Sequence, residues 1–358
     1  MKIEERKSKQ YSLSIVFLVV IIGFTTYLIL KNNDVSDLYK TIMNSQLRYI
    51  VIALLMVLIH IIGEGISMKK IASCYDTKIG LVRSVRYACI DLYYCAITPS
   101  ASGGQPILAY YMSKDNIPVS RSSIILLLYT VIYKMILLLL GVFVAIVHND
   151  FIFQHGTLIR VCFGIGVIIN ISIIAICLFS MFSKNLARII SEKIVWVGVK
   201  IHVIKDEQVT RVKLNRHLED YQNSANLFME HKRDMAWVSL IVLIQRIAYF
   251  SVGYLVYRSF EFSQFSYFDI LSLQIIVSIT VDSLPVPGAV GVTEAVFMIL
   301  YEVVYSKAVL TSAMILTRGI TFYFCLLVCG LTTAFHHITI MRREKRREGR
   351  MKKSDRFL

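Results

Sequence analysis

The sequence has few charged residues and few prolines for its length, and it lacks the cysteine pairs of a metal-binding or disulfide-linked domain. Of its 358 residues, 18% are charged, 5 are proline and 7 are cysteine. No two cysteines form a CxxC pair and their number is odd, so neither a zinc site nor a disulfide framework is predicted. Because 56% of the residues are hydrophobic, the composition excludes a soluble protein and indicates a polytopic membrane protein.

Motifs of the common catalytic sites are also missing. The sequence has no GxSxG, HExxH or P-loop motif, and it therefore offers no nucleophile with a base and no nucleotide site. We accordingly predict no catalytic residue, no metal ligand and no cofactor for this chain.

Long apolar runs predict six membrane-spanning helices in an all-α bundle, because a hydrocarbon core about 30 Å thick needs roughly 20 apolar residues per helix. The first run is too long for the apolar region of a signal peptide and is expected to be a retained helix. The six runs are Tyr11–Leu30, Tyr49–Met68, Ser122–Val147, Leu158–Phe182, Met235–Tyr257 and Val309–Ile338.

Two further apolar stretches are short and end in proline and glycine. The first, Tyr87–Thr98, is followed by Pro99, Gly103, Gly104, Gln105 and Pro106. The second, Phe268–Leu284, contains Asp282 and is followed by Pro285, Pro287, Gly288 and Gly291.

The distribution of lysine and arginine suggests how these broken stretches sit. The net charge is +15, and with the N-terminus inside, 30 of the 39 basic residues fall in inner segments and 5 in outer ones. This asymmetry follows the positive-inside rule only if each broken stretch enters and leaves on its own side. We expect a re-entrant hairpin from the cytoplasm and another from outside, although a packed pair of full spans stays open for either. Both termini are then cytoplasmic, with one transmembrane domain over 1–340 and a basic tail over 341–358.

The two broken stretches share a pattern that hints at an inverted repeat. Each carries an acid, Asp91 or Asp282, before its proline–glycine break. Interrupted helices at corresponding positions of two halves are typical of a transporter's substrate site. The alternative is that the prolines and glycines only form tight turns between short helices.

At these residues the chain resembles the lysylphosphatidylglycerol synthase transmembrane family, also described as flippase-like integral membrane proteins. The resemblance is carried by Thr98–Pro106 and, more specifically, by the Pro-x-Pro-Gly-x-x-Gly-x-x-Glu pattern of Pro285–Glu294. The chain departs from the family where Gln105 replaces an acid and where Tyr133-Lys134 replaces a Glu-Arg pair.

The resemblance implies the membrane half of a protein whose large form lysinylates phosphatidylglycerol on a cytosolic domain and moves the product to the outer leaflet. We expect this chain to comprise the membrane half alone. The leading hypothesis is a flippase for an anionic or aminoacylated phospholipid, or a related polyprenyl-phosphate lipid, in a bacterial plasma membrane. Lysyl transfer with a separate catalytic partner and a non-transporting scaffold for envelope-lipid enzymes are the alternatives.

Charged residues inside the predicted spans are candidate functional residues, because a charge at the bilayer centre is costly. Lys134, Arg246 and Arg318 are predicted to bind a lipid head group together with Glu294, and Lys134→Ala and Arg318→Ala to abolish translocation. The alternatives are internal ion pairs, such as Arg318 with Glu294, and a helix cap at Glu294. Acids at comparable depth are Glu64, Asp91, Asp282, Glu294 and Glu302.

The basic segments outside the spans predict contact with anionic lipids of the inner leaflet. The loop 183–234 has the apolar periodicity of an amphipathic helix with interleaved lysines, which lies on the membrane surface or on the protein's own cytoplasmic face. The tail 341–358 adds further positive charge. Nucleic-acid binding is not expected. A homodimer and a separate transferase partner both stay open.

Overall fold

The computed structural model describes residues 35–147, 156–182, 230–282, 284 and 286–354. Within these residues the protein is all α-helical, with no β-strand. The helices are α1 (Val35–Met43), α2 (Leu47–Ser73), α3 (Leu81–Ile97), α4 (Gly104–Lys114), α5 (Val119–Val147), α6 (Gly156–Phe182), α7 (Lys232–Ser259), α8 (Tyr267–Val281), α9 (Val292–Tyr301), α10 (Lys307–Arg318) and α11 (Cys325–Ser354).

Five helical segments are long and apolar enough to cross a membrane: α2, α5, α6, α7 and the continuous segment from α10 into α11. They correspond to five of the six predicted spans, and the prediction of an all-α polytopic bundle is confirmed. The predicted first span, Tyr11–Leu30, lies outside the described residues, as does loop 183–234 up to residue 229.

Helices α2 and α7 form an antiparallel pair at the centre of the bundle. At one end, the Gln46 N–H donates to the Ser259 carbonyl at 2.8 Å. At the other, Lys70 Nζ lies 2.7 Å from Asp234 Oδ1. A backbone hydrogen bond thus joins the two helices at one end of the pair, and an ion pair joins them at the other.

The first hairpin, Leu81–Lys114, consists of α3, a 3₁₀ turn at Pro99–Ala101 and α4. Its turn is closed by a side chain, because the Gly103 N–H donates to Thr98 Oγ1 at 2.9 Å. The proline cannot donate a backbone hydrogen bond and stops α3. The predicted break in this stretch is therefore a turn between two short helices.

The second hairpin, Tyr267–Tyr301, consists of α8, a 3₁₀ turn at Pro287–Ala289 and α9. Helix α8 begins with a capping box, in which Ser266 Oγ accepts from the Asp269 N–H and Asp269 accepts from the Ser266 N–H. Gly288 and Gly291 have φ of 58° and 87°, a region that glycine reaches without steric cost. Pro285 lies outside the described residues.

The two hairpins start at opposite ends of the α2–α7 pair, and their turns pack against each other. The first hairpin follows the end of α2, whereas the second follows the end of α7. Each half of the described chain thus runs span, hairpin, span, and the two halves are inverted relative to each other. This is the element order that the predicted inverted repeat requires.

The last span is interrupted near its middle. Helix α10 ends at Arg318, a π-helical turn covers Gly319–Phe324, and α11 then continues to Ser354. A π-helical turn widens the helix locally and is often found at functional sites. Because α11 extends beyond residue 341, the basic tail begins as a continuation of this helix.

Candidate functional site

A cavity of about 250 Å³ lies between the two hairpins. The first hairpin contributes part of one wall and the second hairpin contributes most of the other. The polar side chains on its walls include those of His60, Cys95, Tyr133, Arg246, Asp282 and Arg318. Two of the three predicted intramembrane cations therefore reach the cavity.

Arg318 is held in the turn of the second hairpin. Its Nε donates to Glu294 Oε1 at 2.8 Å and its Nη2 donates to the Gly288 carbonyl at 3.2 Å. The other oxygen of Glu294 accepts from the Gly291 N–H at 2.6 Å. Glu294 therefore both caps α9 and neutralises Arg318, so the residue has both of the structural roles given above as alternatives, the helix cap and the ion pair.

Lys134 is paired with Asp282 at the end of α8. The second oxygen of Asp282 accepts a hydrogen bond from the Tyr133 hydroxyl at 2.7 Å. Asp282 lies on the cavity wall, whereas Lys134 reaches the site only through this acid. The pair connects α5 to the second hairpin and leaves no free positive charge at this position.

Arg246 on α7 differs from the other two cations because it has no acidic partner among the described residues. Its Nε has no hydrogen-bond partner there, and its side chain takes part in no ion pair within 4.0 Å. The guanidinium lies 3.8 Å from the centre of the Tyr133 ring and 5.8 Å from that of Tyr249. A cation held next to aromatic rings, rather than by a carboxylate, keeps its N–H donors available for an anion.

Three glycines allow the close approaches that shape the site. A Cβ on Gly104 would lie 2.4 Å from both Asp91 Oδ1 and Cys95 Sγ. A Cβ on Gly288 would lie 2.4 Å from the Phe322 ring. Gly103 packs equally closely on the Thr98 side chain. The motif glycines thus let helices and turns meet next to the cavity.

The remaining motif residues support the turns. Pro99 and Pro287 begin the two 3₁₀ turns, and Pro106 lies in the first turns of α4. Gln105 donates to Thr130 on α5. The amide of Gln105 thus ties the first hairpin to the neighbouring span.

The geometry places the four residues predicted to bind a head group at different positions relative to the cavity. The structure brings Arg246, Arg318 and Glu294 to one cavity and its wall, and it places Lys134 behind Asp282. It also adds Tyr133 and Tyr249, which sequence reasoning did not propose as site residues. Aromatic residues are common in apolar helices, so only their position around Arg246 distinguishes these two.

A second polar cluster lies at the other side of the described structure, where α2 ends and α7 begins. Asp234 accepts from Lys70 at 2.7 Å, lies 3.3 Å from His231 Nδ1 and 3.7 Å from Cys74 Sγ. Burial, and then the negative charge of Asp234, raise the pKa of the Cys74 thiol to about 11. The cluster fastens the two central helices to each other at this end.

The chain also matches a known protein family. A family described as the lysylphosphatidylglycerol synthase TM region matches residues 11–329. This range includes both hairpins, the three intramembrane cations and most of the last span. No curated protein matches the chain.

Proposed function

We propose a function from the premise that this chain belongs to the family of lysylphosphatidylglycerol synthase TM regions. It is a multi-pass membrane protein that moves a phospholipid with an anionic or aminoacylated head group, such as lysyl-phosphatidylglycerol, from one leaflet to the other. The cavity between the two hairpins takes the head group, and the acyl chains stay in the bilayer. The chain itself carries out no group transfer.

The observation that carries this proposal is that Arg246 forms no ion pair with any of the residues that the structure describes. A buried cation with no carboxylate in direct contact is costly, and two other cations in the same bundle do have carboxylates in contact. A lipid phosphate would supply the missing negative charge, and a planar guanidinium can bind two phosphate oxygens at once. We therefore assign the phosphate to Arg246.

The other two cations hold the walls of the cavity. Arg318 positions the turn of the second hairpin through Glu294 and Gly288, and Lys134 positions the end of α8 through Asp282. A phosphate that approaches either pair would have to compete with a carboxylate already in contact. These two cations act mainly by fixing the shape of the site.

Two inverted halves around a central site provide a way for the head group to reach both leaflets. In transporters with such repeats, one half rocks against the other around a fixed site. Here the turns of the two hairpins meet next to the cavity, so a relative tilt of the halves would open the cavity first to one side and then to the other. The π-helical turn in the last span provides a hinge for this movement.

The proposed function places the protein in the plasma membrane with a defined orientation. The excess of lysine and arginine in the segments assigned as inner supports a plasma membrane with both termini in the cytoplasm. In this orientation, loop 183–234 and tail 341–358 face the anionic inner leaflet and can attract the lipids that the cavity receives.

A second candidate function is a membrane subunit for a separately encoded lysyltransferase. It is favoured by the family description itself, which names a region of a synthase. In that case the chain would receive lysyl-phosphatidylglycerol from its partner, and co-expression with the partner would be needed for activity. A scaffold without transport predicts no lipid movement under either condition.

The test uses purified full-length protein in phosphatidylcholine vesicles with traces of fluorescent lipid. Dithionite bleaches only the outer leaflet, so a transporter increases the bleached fraction beyond that of protein-free vesicles. We expect this increase for phosphatidylglycerol and lysyl-phosphatidylglycerol and a smaller one for phosphatidylcholine. Bleaching equal to that of empty vesicles for all three lipids would refute the proposal for these substrates.

A further inference from the structure

The charges around the cavity do not balance. Among the described residues, four buried or mostly buried carboxyl groups and three cations lie on the cavity walls or directly behind them. Two acids are already paired with Lys134 and Arg318. Two acids, Glu64 and Asp91, therefore remain, and Arg246 is the cation whose charge acts on Glu64.

Glu64 and Asp91 form a buried acid pair between α2 and α3. Their side chains are close enough for their charges to interact, and the residues are only 2% and 9% exposed. Glu64 Oε1 has no hydrogen-bond partner in the described part of the chain. Such an oxygen either carries an unsatisfied charge or has room for a proton.

Groups from every neighbouring helix face this pair. The charge of Arg246 on α7 acts on Glu64, and the thiol of Cys325 on α11 and the Tyr129 hydroxyl on α5 also face it. On α3 itself, Cys95 Sγ lies 3.8 Å from Asp91 Oδ1. Arg246 is the only one of these groups that is positively charged.

Physical chemistry then limits the charge of the pair. Two carboxylates that share a site of low dielectric constant do not both ionise, because like charges repel and burial penalises each of them. With Arg246 as their one cation, the neutral arrangement contains one carboxylate and one protonated acid. When a lipid phosphate occupies Arg246, the remaining carboxylate loses its counter-charge, and the neutral arrangement then contains two protonated acids.

We propose that Glu64 and Asp91 form a proton-binding site coupled to Arg246, so that each phosphate head group crosses the membrane together with one proton. In the binding step a hydronium ion on one side gives its proton to a carboxylate oxygen, so that a hydronium O–H bond breaks, the carboxyl O–H bond forms and a water molecule is left. When the phosphate leaves on the other side, this bond breaks and the proton returns to water. The inference rests on the function proposed above and names its driving force.

A route for the proton connects the pair to the cavity. Cys95, which contacts Asp91, lies on the cavity wall, and so does His60. His60 precedes Glu64 by one helical turn on α2, and its Nδ1 has no hydrogen-bond partner in the described residues. Intramembrane histidines and acids in series are common in proton-coupled transporters.

The test measures where the lipid accumulates when a pH gradient is imposed. Purified protein is placed in phosphatidylcholine vesicles with trace fluorescent phosphatidylglycerol, a gradient of one pH unit is applied, and the voltage is clamped with potassium and valinomycin. One proton per lipid predicts about a tenfold excess of phosphatidylglycerol in the leaflet that faces the more alkaline solution. Protein-free vesicles in the same gradient give the background.

The double variant Glu64→Gln/Asp91→Asn leaves no carboxyl group to take up the proton, and we expect it to reduce the leaflet ratio to about one, whereas either single variant keeps one carboxyl group and should keep the coupling. Glu302→Gln is the matched control, since Glu302 lies exposed at the end of α9, and it should retain the wild-type ratio.

If wild-type protein equilibrates the lipid but the ratio stays at one in the gradient, coupling is refuted while transport stands. If no lipid moves in any gradient, the proposed function fails and the coupling fails with it. The wild-type result decides even if a variant does not fold.

Discussion

Removal of Arg318 and removal of Arg246 should have opposite consequences for stability, although both are buried arginines in the same cavity. Arg318→Met leaves Glu294 buried without its cation. Arg246→Met leaves no acid stranded in direct contact, because Arg246 has no ion-pair partner in the described residues. The structure therefore predicts that one substitution destabilises the fold and that the other mainly affects function.

The magnitudes follow from the contacts. Breaking a buried ion pair by removing one partner costs about 3–5 kcal/mol, and Arg318 also loses its hydrogen bond to the Gly288 carbonyl. For Arg246, the lost contact with the Tyr133 ring is worth up to about 2 kcal/mol. Removal of a charge from the membrane interior is favourable by about 2.5–3.5 kcal/mol, because the cost of burying it is no longer incurred. From these figures, Arg246→Met should stabilise the fold by about 0.5–3.5 kcal/mol.

The assay is reversible unfolding of the purified protein in mixed micelles as the fraction of dodecyl sulfate increases. Arg318→Met should unfold at a clearly lower fraction than wild type, and the double variant Arg318→Met/Glu294→Gln should recover most of the loss. The amide retains an oxygen that can accept from the Gly291 N–H. Equal destabilisation by Arg246→Met and Arg318→Met would show that Arg246 has a structural partner, and it would refute the assignment of Arg246 as the free cation.

Two further predictions test the local geometry. Gly104→Ala places a methyl group 2.4 Å from Asp91 Oδ1 and should lower both the thermal stability and the lipid movement, whereas Gly80→Ala, with no atom within 4 Å of the added carbon, should change neither. In a variant that retains only Cys74, the thiol pKa of about 11 against an ordinary 9.0 should make maleimide labelling at pH 8 about a hundredfold slower than for an ordinary thiol. Asp234→Asn removes a negative charge beside the thiol and should speed this labelling; an unchanged rate would contradict the cause given for the raised pKa.

Much of the fold could be predicted from the sequence because the signals are local. Apolar runs of the right length predict spans, and proline followed by glycine predicts a break, so five spans and both hairpins lie where the sequence places them. The start of α8 at Ser266 is likewise a local signal. The π-helical turn after Arg318 has no comparable sequence signature, because it depends on how the last span packs around the hairpin turn.

The charges of the site could be named from the sequence, but their roles could not. Lys134, Arg246 and Arg318 look alike in sequence, since each is one basic residue in an apolar helix. Which of them is neutralised depends on Asp282 and Glu294, whose positions are set by the turn of the second hairpin. The pairing is a tertiary property, and within the described part of the chain it leaves one of three equivalent candidates without an ion pair.

The central claim is that Arg246 binds the phosphate of a lipid that crosses the membrane. The most direct measurement is dithionite bleaching of fluorescent phosphatidylglycerol in vesicles that contain wild-type protein, Arg246→Gln or Arg233→Gln, an exposed arginine on the same helix. Wild type and Arg233→Gln should bleach beyond the outer-leaflet fraction, and Arg246→Gln should match empty vesicles while folding normally. Full lipid movement by a folded Arg246→Gln protein would contradict the account.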